Sequence, residues 1–218
     1  MRGGLKAGFV ALLVPVLLLT VSCASSEDDK APNRYPSPKA VFDAFREART
    51  KEQMGKIFFL VTPEVQDGMV FESFFECAAL HSEEASAVAA KYVDLATLDQ
   101  DHAKQYKTKH GIDPDKATAS QKDDPASAPP DDDQLWQDVV VEHVKDKVGF
   151  VVAVSKLSKD PIEPLGDLES LAIDGDTATG TAKQTFVPGP GESPPAVDKI
   201  DKEFRFRKIN GGWLLDSL

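Results

Sequence analysis

The sequence contains little cysteine, because only Cys23 and Cys77 are of this type among its 218 residues. Two cysteines exclude a disulfide-rich scaffold and a zinc site built from four thiolates. Basic residues are also in the minority: 25 Lys and Arg stand against 36 Asp and Glu, for a formal net charge of −11. Nucleic acid is therefore not an expected partner, since clustered Lys and Arg are what hold a phosphate backbone.

The sequence also lacks the motifs that mark common classes of enzyme. It contains no GxGxxG or GxxxxGK nucleotide fingerprint, no GxSxG nucleophile elbow and no HExxH zinc motif. Of the 4 histidines, His102 and His110 have a spacing that would place both on one face of a helix. We predict no catalytic residue, no cofactor and no metal site, and the sequence leaves open whether the protein is an enzyme.

An uncharged apolar stretch over residues 7–21 follows the basic residues Arg2 and Lys6. It is shorter than the roughly 20 residues that cross a bilayer, and its length suits the central region of a signal peptide. The stretch runs into the sequence LTVSC, in which a small residue precedes Cys23. These residues resemble the lipobox of bacterial lipoproteins, although Thr20 stands where Leu is commoner.

The resemblance to lipoproteins implies how the chain is processed and where it lies. Residues 1–22 would be removed, and the Cys23 thiol would become a thioether to diacylglycerol, with acyl chains such as palmitate in the membrane. Residues 23–36 are polar and charged and contain Pro, so we predict a flexible tether. The expected location is extracytoplasmic, anchored to a membrane of the cell envelope. An ordinary secretory signal and an uncleaved anchor helix are the alternatives.

Residues 37–218 are predicted to form one domain that begins with helices. Ser37 is a good N-cap, Pro38 suits the first helical position, and the apolar residues that follow recur at helical spacing. Similar signals predict further helices over 52–60 and from Thr62 onward.

The middle of the domain is less regular. Residues 111–133 are rich in Asp and Pro, with Ile112 as the one strongly apolar residue, so we predict a disordered acidic insertion. The consecutive acids at 131–133 do not alternate with other residues as calcium ligands do, which argues against a cation site. Residues 135–157 keep helical spacing but are rich in Val, so helix and strand are both open; two helices with a break near 146–149 are preferred.

Toward the C-terminus the apolar residues change to a period of two, which is typical of strands. An apolar run over 168–173 and a turn at 174–176 begin one hairpin, and a second hairpin joins 203–207 to 213–215 through the turn at 210–212. Helices followed by antiparallel strands predict the α+β class.

The helix that opens with Ser37, written S-P-x-A-V-x-x-A-F, and the final strand, in which Gly211 or Gly212 precedes Trp213, have counterparts in a known superfamily. Over residues 37–60 and 165–218 the chain resembles the nuclear transport factor 2-like superfamily, also called SnoaL-like. The resemblance implies a curved antiparallel sheet that wraps around N-terminal helices in a cone-like shape. The extra helices and the acidic insertion depart from that pattern, and the superfamily includes many activities.

Several side chains have both a functional and a structural interpretation. His143 lies on an apolar stripe and is either an acid–base group inside the cone or a histidine held by a backbone carbonyl. Cys77 is expected in the core, because no activating base is visible. Arg205 and Arg207 either bind an anion or form a solvated sheet face. Five phenylalanines either line a ligand cavity or pack the core: Phe58, Phe59, Phe71, Phe74 and Phe75.

These observations favour a lipid-anchored binding or envelope-associated module that holds a protein partner or a small apolar ligand. The alternative is a small cofactor-free enzyme of the isomerase or dehydratase type, which requires two buried titratable side chains facing one cavity. A homodimer formed through sheet faces is compatible with the first hypothesis. An exposed apolar face bearing Phe204, Phe206 or Trp213 would support it.

Overall fold

The computed structural model describes residues 34–111, 132–158, 163–185, 187 and 199–218. Within these ranges, seven helices precede one sheet of four strands. The helices are α1 (Pro38–Thr50), α2 (Met54–Leu60), α3 (Pro63–Ala79), α4 (Glu83–Tyr92), α5 (Leu95–His110), α6 (Asp133–His143) and α7 (Lys147–Ser155). The strands are β1 (Leu165–Asp174), β2 (Thr177–Thr185), β3 (Lys199–Ile209) and β4 (Gly212–Leu215). The predicted α+β class is confirmed.

Helix α1 begins where the sequence predicts. The Ser37 hydroxyl accepts a hydrogen bond from the Ala40 amide at 3.2 Å, and Pro38 occupies the first turn, where its missing N–H is not needed. The buried face of the helix consists of Val41, Phe42, Phe45 and Ala48. This face packs against the inner face of the sheet, so the two elements share one apolar cluster.

The strands form an antiparallel meander in the order β1-β2-β3-β4. Gly175, with φ of 60°, turns the chain between β1 and β2, and Asn210 and Gly211, with φ of 51° and 83°, turn it between β3 and β4. Positive φ at both central residues gives a tight turn whose twist matches the strands. On the inner face the Phe204 ring lies 5.0 Å from the Phe42 ring, centroid to centroid, in an edge-to-face arrangement.

Strand β1 forms one edge of the sheet and is irregular. Its pairing with β2 shifts register twice, between Leu165 and Leu168 and between Glu169 and Ala172. Ser170, inside the second shift, has a positive φ of 50°. Such bulges bend a strand and increase its local twist, so β1 does not run straight along its neighbour.

Strand β4 forms the other edge, and main chain from outside the sheet contacts it there. The Trp213 amide donates to the Tyr35 carbonyl at 3.0 Å, and the Thr62 amide donates to the Leu215 carbonyl at 2.8 Å. Tyr35 lies within the range 23–36 that the sequence assigns to the tether, so ordered contacts begin before the predicted domain start.

The remaining helices pack beside the sheet in two further apolar clusters. One joins α2, α3, α4 and α7 through buried residues that include Phe58, Val70, Cys77 and Phe150. The other lies between α5 and α6 and is built on Leu98, Tyr106, Leu135, Val139 and Val140. In the described part of the chain, none of these helices combines the length and apolarity needed to cross a bilayer.

The ambiguous range 135–157 forms helices, as preferred from the sequence. Helices α6 and α7 are separated at 144–146, slightly before the predicted break, and the Asp146 carboxylate caps α7 by accepting from the Gly149 amide at 2.9 Å. Of the predicted disordered range 111–133, residues 112–131 lie outside the described residues. Its described residues are helix ends: Gly111 terminates α5 with φ of 70°, and Asp132 caps α6.

Candidate functional site

A groove of about 850 Å³ between the sheet and four helices has room for a ligand. Helices α1, α2, α3 and α7 and strand β3 contribute to its walls. The apolar part of the lining consists of Phe45, Met54, Ile57, Met69, Val151 and Val152. A groove of this volume is within the roughly 300–1,000 Å³ range of small-molecule sites, and we call it the α1–α3 groove.

Two methionines make the wall of the groove adaptable. Met54 and Met69 are only partly buried, and both pack against the sheet cluster and against the cluster formed by α2, α3, α4 and α7. Methionine is unbranched and has three rotatable bonds, so its side chain adjusts to irregular shapes. The α1–α3 groove can therefore accept ligands of different outline without a change in backbone.

A lysine lies on the inner face of the sheet, beside the apolar core. Along β3, Lys202 shares its face with Phe204 and Phe206, because side chains alternate across a strand. The Lys202 ammonium lies 5.9 Å from the centroid of the Phe204 ring. Burial lowers the pKa of Lys202, the positive charge of Arg49 lowers that pKa further, and the carboxylate of Glu163 opposes both effects.

Arg49, in the last turn of α1, is the second cation of the groove. Burial lowers the pKa of Arg49, again against the opposing charge of Glu163. Glu163 itself accepts a hydrogen bond from the buried Gln184 amide. Within the part of the chain that the structure describes, no carboxylate forms an ion pair with Arg49 or Lys202. Two partly desolvated cations thus lie beside the apolar side chains of the groove.

The other polar groups of the groove are acids, hydroxyls and one further lysine. Glu72 and Glu76 come from α3, and Glu52 from the turn after α1. Ser73, also on α3, is buried. Lys156 is the residue that directly follows α7. The positive and negative side chains of the lining come from different elements, so the groove presents both signs of charge on separate walls.

His143, at the end of α6, contacts other residues through both of its ring nitrogens. Its Nδ1 lies 2.8 Å from the Val139 carbonyl and its Nε2 lies 3.2 Å from the Asp101 carboxylate. Both ring nitrogens therefore face oxygen atoms of the chain, and neither points to open space. The interpretation of His143 as a histidine held by a backbone carbonyl is confirmed.

His102 and His110 do not converge on one site. The His102 ring packs edge-to-face on Trp136, with centroids 4.3 Å apart, whereas His110 Nε2 lies 2.6 Å from the Asp132 carboxylate. Hydrogen bonds hold the pKa of Asp132 well below its usual range, and the bond from Lys109 contributes more than the bond from His110. Across the described ranges, no three side chains of His, Cys, Asp and Glu are grouped in a way that could hold a metal ion.

The other sequence candidates are structural. Cys77 is buried, its thiol donates to the Ala85 carbonyl at 3.1 Å, and burial raises its pKa, as expected of a core residue. Arg205 pairs with Glu203 at 2.9 Å on an exposed surface. Arg207 pairs with Glu64 and Asp216. None of the candidate phenylalanines Phe58, Phe59, Phe71, Phe74 and Phe75 lines the groove.

The aromatic residues of the sheet do not form an exposed apolar face. Phe204, Phe206 and Trp213 are 0%, 1% and 6% exposed, because the helices cover them. The exposed apolar face that would have supported dimerisation is therefore not seen at these three residues. The opposite, outer face of β3 carries charged side chains.

Sequence reasoning did not single out Arg49 and Lys202. The alternation of residues along β3 could have identified Lys202, because a residue two positions before Phe204 lies on the same face of the strand. Cys23, the predicted lipidation residue, lies outside the described residues. Comparison of the chain with models of protein families, with curated proteins and with solved structures found no match in any of the three.

Proposed function

We propose that the protein is a lipid-anchored, extracytoplasmic binding module of the cell envelope, and that its folded domain holds a small apolar ligand in the α1–α3 groove. The observation that carries the ligand-binding part is the groove itself, which has about 850 Å³ of space beside the apolar side chains of four helices. The lipid anchor is supported by the apolar stretch at 7–21 followed by Cys23.

The same proposal includes a fold of the nuclear transport factor 2-like type. Two features support it: α1 packs on the inner face of an antiparallel meander, and β1 carries two bulges of the kind that bend a strand, as a curved sheet requires. In this proposal the groove is the open end of the cone.

Binding is preferred to catalysis because of the acid–base groups in the groove. An isomerase or dehydratase needs a general base and a general acid that reach the same substrate. Arg49 and Lys202 face one cavity, but the glutamates of its lining are not buried: Glu52 and Glu72 are exposed and Glu76 is partly exposed. His143, the acid–base candidate of the sequence, lies elsewhere with both ring nitrogens engaged.

The anchor is tested by the intact mass of the membrane-extracted protein. We expect a chain that begins at Cys23 and carries diacylglycerol, with or without a third acyl chain. Replacement of Cys23 by Ser is the control, and it should abolish the mass increment. A mass that equals the full unmodified chain would overturn the lipoprotein assignment.

The groove is tested in the same membranes with a neutral long-chain alcohol that carries a photoactivatable group. After illumination, the labelled peptides are identified by tandem mass spectrometry, and we expect label on α2 and α3 around Met54 and Met69. Val152→Trp, which fills the groove, should reduce this label. Leu95→Trp, at a residue 46% exposed and outside the groove, should not. Label that is spread over the surface and unchanged in Val152→Trp would contradict the proposal.

A further inference from the structure

We infer that the ligand of the α1–α3 groove is a single-chain amphiphile with an anionic head group, a carboxylate or a phosphate, which Arg49 and Lys202 bind together. This inference rests on the proposed function and narrows it, because it gives the chemical class of the ligand and the two side chains that select it.

The first argument is the placement of the charges. The chain as a whole carries a net charge of −11, and the groove lining itself includes Glu52, Glu72 and Glu76 beside Lys156. Even so, Arg49 at the end of α1 and Lys202 on the inner face of β3 lie close enough for the charge of Arg49 to act on Lys202. Like charges that are partly removed from water repel each other more strongly than they do in solvent. An anion placed between them would relieve this repulsion and would contribute charge-assisted hydrogen bonds.

The second argument is that the chain supplies no direct counter-ion in the part that the structure describes. Glu163 acts on both cations at longer range, and its carboxylate accepts from the Gln184 amide instead. By contrast, Arg205 and Lys183, on the outer face of the same sheet, pair directly with Glu203 and Asp201. Arg49 and Lys202 therefore differ from the surface cations in the feature that favours an external anion.

The third argument is the apolar surface next to the cations. Phe45 lies on α1 one turn before Arg49, and Ile57 and Met69 continue the apolar lining. A head group at the cations would leave an attached chain against these side chains. Burial of apolar surface would stabilise the bound tail, and a volume of about 850 Å³, within the range of small-molecule sites, suits a single chain.

The test uses the full-length protein in its own membranes and three photoactivatable probes of equal chain length: a carboxylic acid, a monophosphate and the neutral alcohol. We expect the better of the two anionic probes to label the α1–α3 groove about tenfold more efficiently than the alcohol, the effect of one hydrogen bond to a charged group. A stronger carboxylate signal identifies a fatty acid, and a stronger phosphate signal identifies a phosphate-headed lipid; either supports the inference.

The variant Arg49→Gln/Lys202→Met should lower the anionic label to the level of the alcohol and leave the alcohol label unchanged. The matched control Arg205→Gln/Lys183→Met removes the same residue types from the outer face and should change neither. The charge-conserving exchange Arg49→Lys/Lys202→Arg should retain the preference, which separates loss of charge from loss of fold.

Equal labelling of the groove by acid, phosphate and alcohol would overturn the anionic head group and leave the proposed function standing. An anionic preference that survives Arg49→Gln/Lys202→Met would overturn the assignment of the two side chains. Absence of groove labelling by all three probes would overturn the inference together with the proposed function.

Discussion

Two helical glycines are expected to respond in opposite directions to the same substitution by alanine. Gly68 lies inside α3, and apart from its chain neighbours and the nearby helix backbone, a Cβ added there would have no atom within 4 Å. A helix with glycine at an interior position is less stable than the same helix with alanine there, by about 1 kcal/mol. Gly68→Ala should therefore raise the free energy of unfolding by about 0.5–1 kcal/mol.

Gly149, in the first turn of α7, has no such space. A Cβ added there would lie 2.2 Å from Asp146 Oδ2 and 2.9 Å from Tyr92 Cε1. In the unchanged chain the Asp146 carboxylate caps the helix by accepting from the Gly149 amide. In Gly149→Ala the carboxylate has to move away from the new methyl group, and the capping hydrogen bond, worth about 0.5–2 kcal/mol, is lost. Displacement of the Tyr92 ring adds an overpacking cost of roughly 1–3 kcal/mol, and the gain in helix propensity returns about 1 kcal/mol. We expect a net destabilisation of about 2 kcal/mol.

Urea unfolding followed by circular dichroism measures both changes, and equal slopes would show that the variants unfold to comparable states. The origin of the Gly149→Ala effect is tested in a second background, Asp146→Ala. Without the carboxylate, Gly149→Ala should have a smaller cost, so the double variant should be more stable than the sum of the single changes predicts. A Gly149→Ala protein as stable as the unchanged chain, or strictly additive effects, would refute this reasoning.

Three further predictions follow from packing and charge. Phe204→Ala should lower the free energy of unfolding by about 3–5 kcal/mol, because the residue is 0% exposed, whereas Phe75→Ala, at 46% exposure, should lower it by about 1 kcal/mol or less; equal effects in urea unfolding would contradict the assigned core. Asp132→Asn should destabilise the protein at pH 7. Because the pKa of Asp132 is lowered by its hydrogen bonds, its contribution is present above the unfolded value of about 3.9 and is lost as the pH falls through the lowered folded value. On acidification, the difference in unfolding free energy between the two proteins should begin to narrow near pH 4 and should keep narrowing at lower pH. A difference that stays constant from about pH 7 to about pH 3 would argue against the charge pairing. Cys77, buried and with a raised pKa, should react with Ellman's reagent only at the rate of unfolding, and fast labelling in the folded protein would contradict its burial.

Local signals in the sequence predict the elements well and their mutual placement poorly. The cap at Ser37 and the apolar stripe after it give α1, and the alternation around Phe204 gives the inner face of β3. The two-helix interpretation of 135–157 succeeds because helical spacing outweighs the strand preference of Val once both faces are packed.

The candidate site depends on contacts between distant segments, which local patterns do not contain. Arg49 and Lys202 are far apart in the chain, and they meet only because the meander brings one end of β3 to the end of α1. The pattern of alternating residues gives the face of Lys202 but not what covers that face. The contact of Tyr35 with β4 is missed for the same reason, since a short polar segment gains order only from its partner.

The structure of the two edge strands, β1 and β4, affects how readily copies of the protein associate at high concentration. An open strand edge is a template for a strand from another molecule, and a flat edge therefore favours fibrous association. Here β4 already receives main-chain hydrogen bonds from Tyr35 and Thr62, and β1 is interrupted by two bulges. A neighbouring copy therefore meets an interrupted edge at β1 and an occupied one at β4, and both features disfavour growth into a continuous intermolecular sheet.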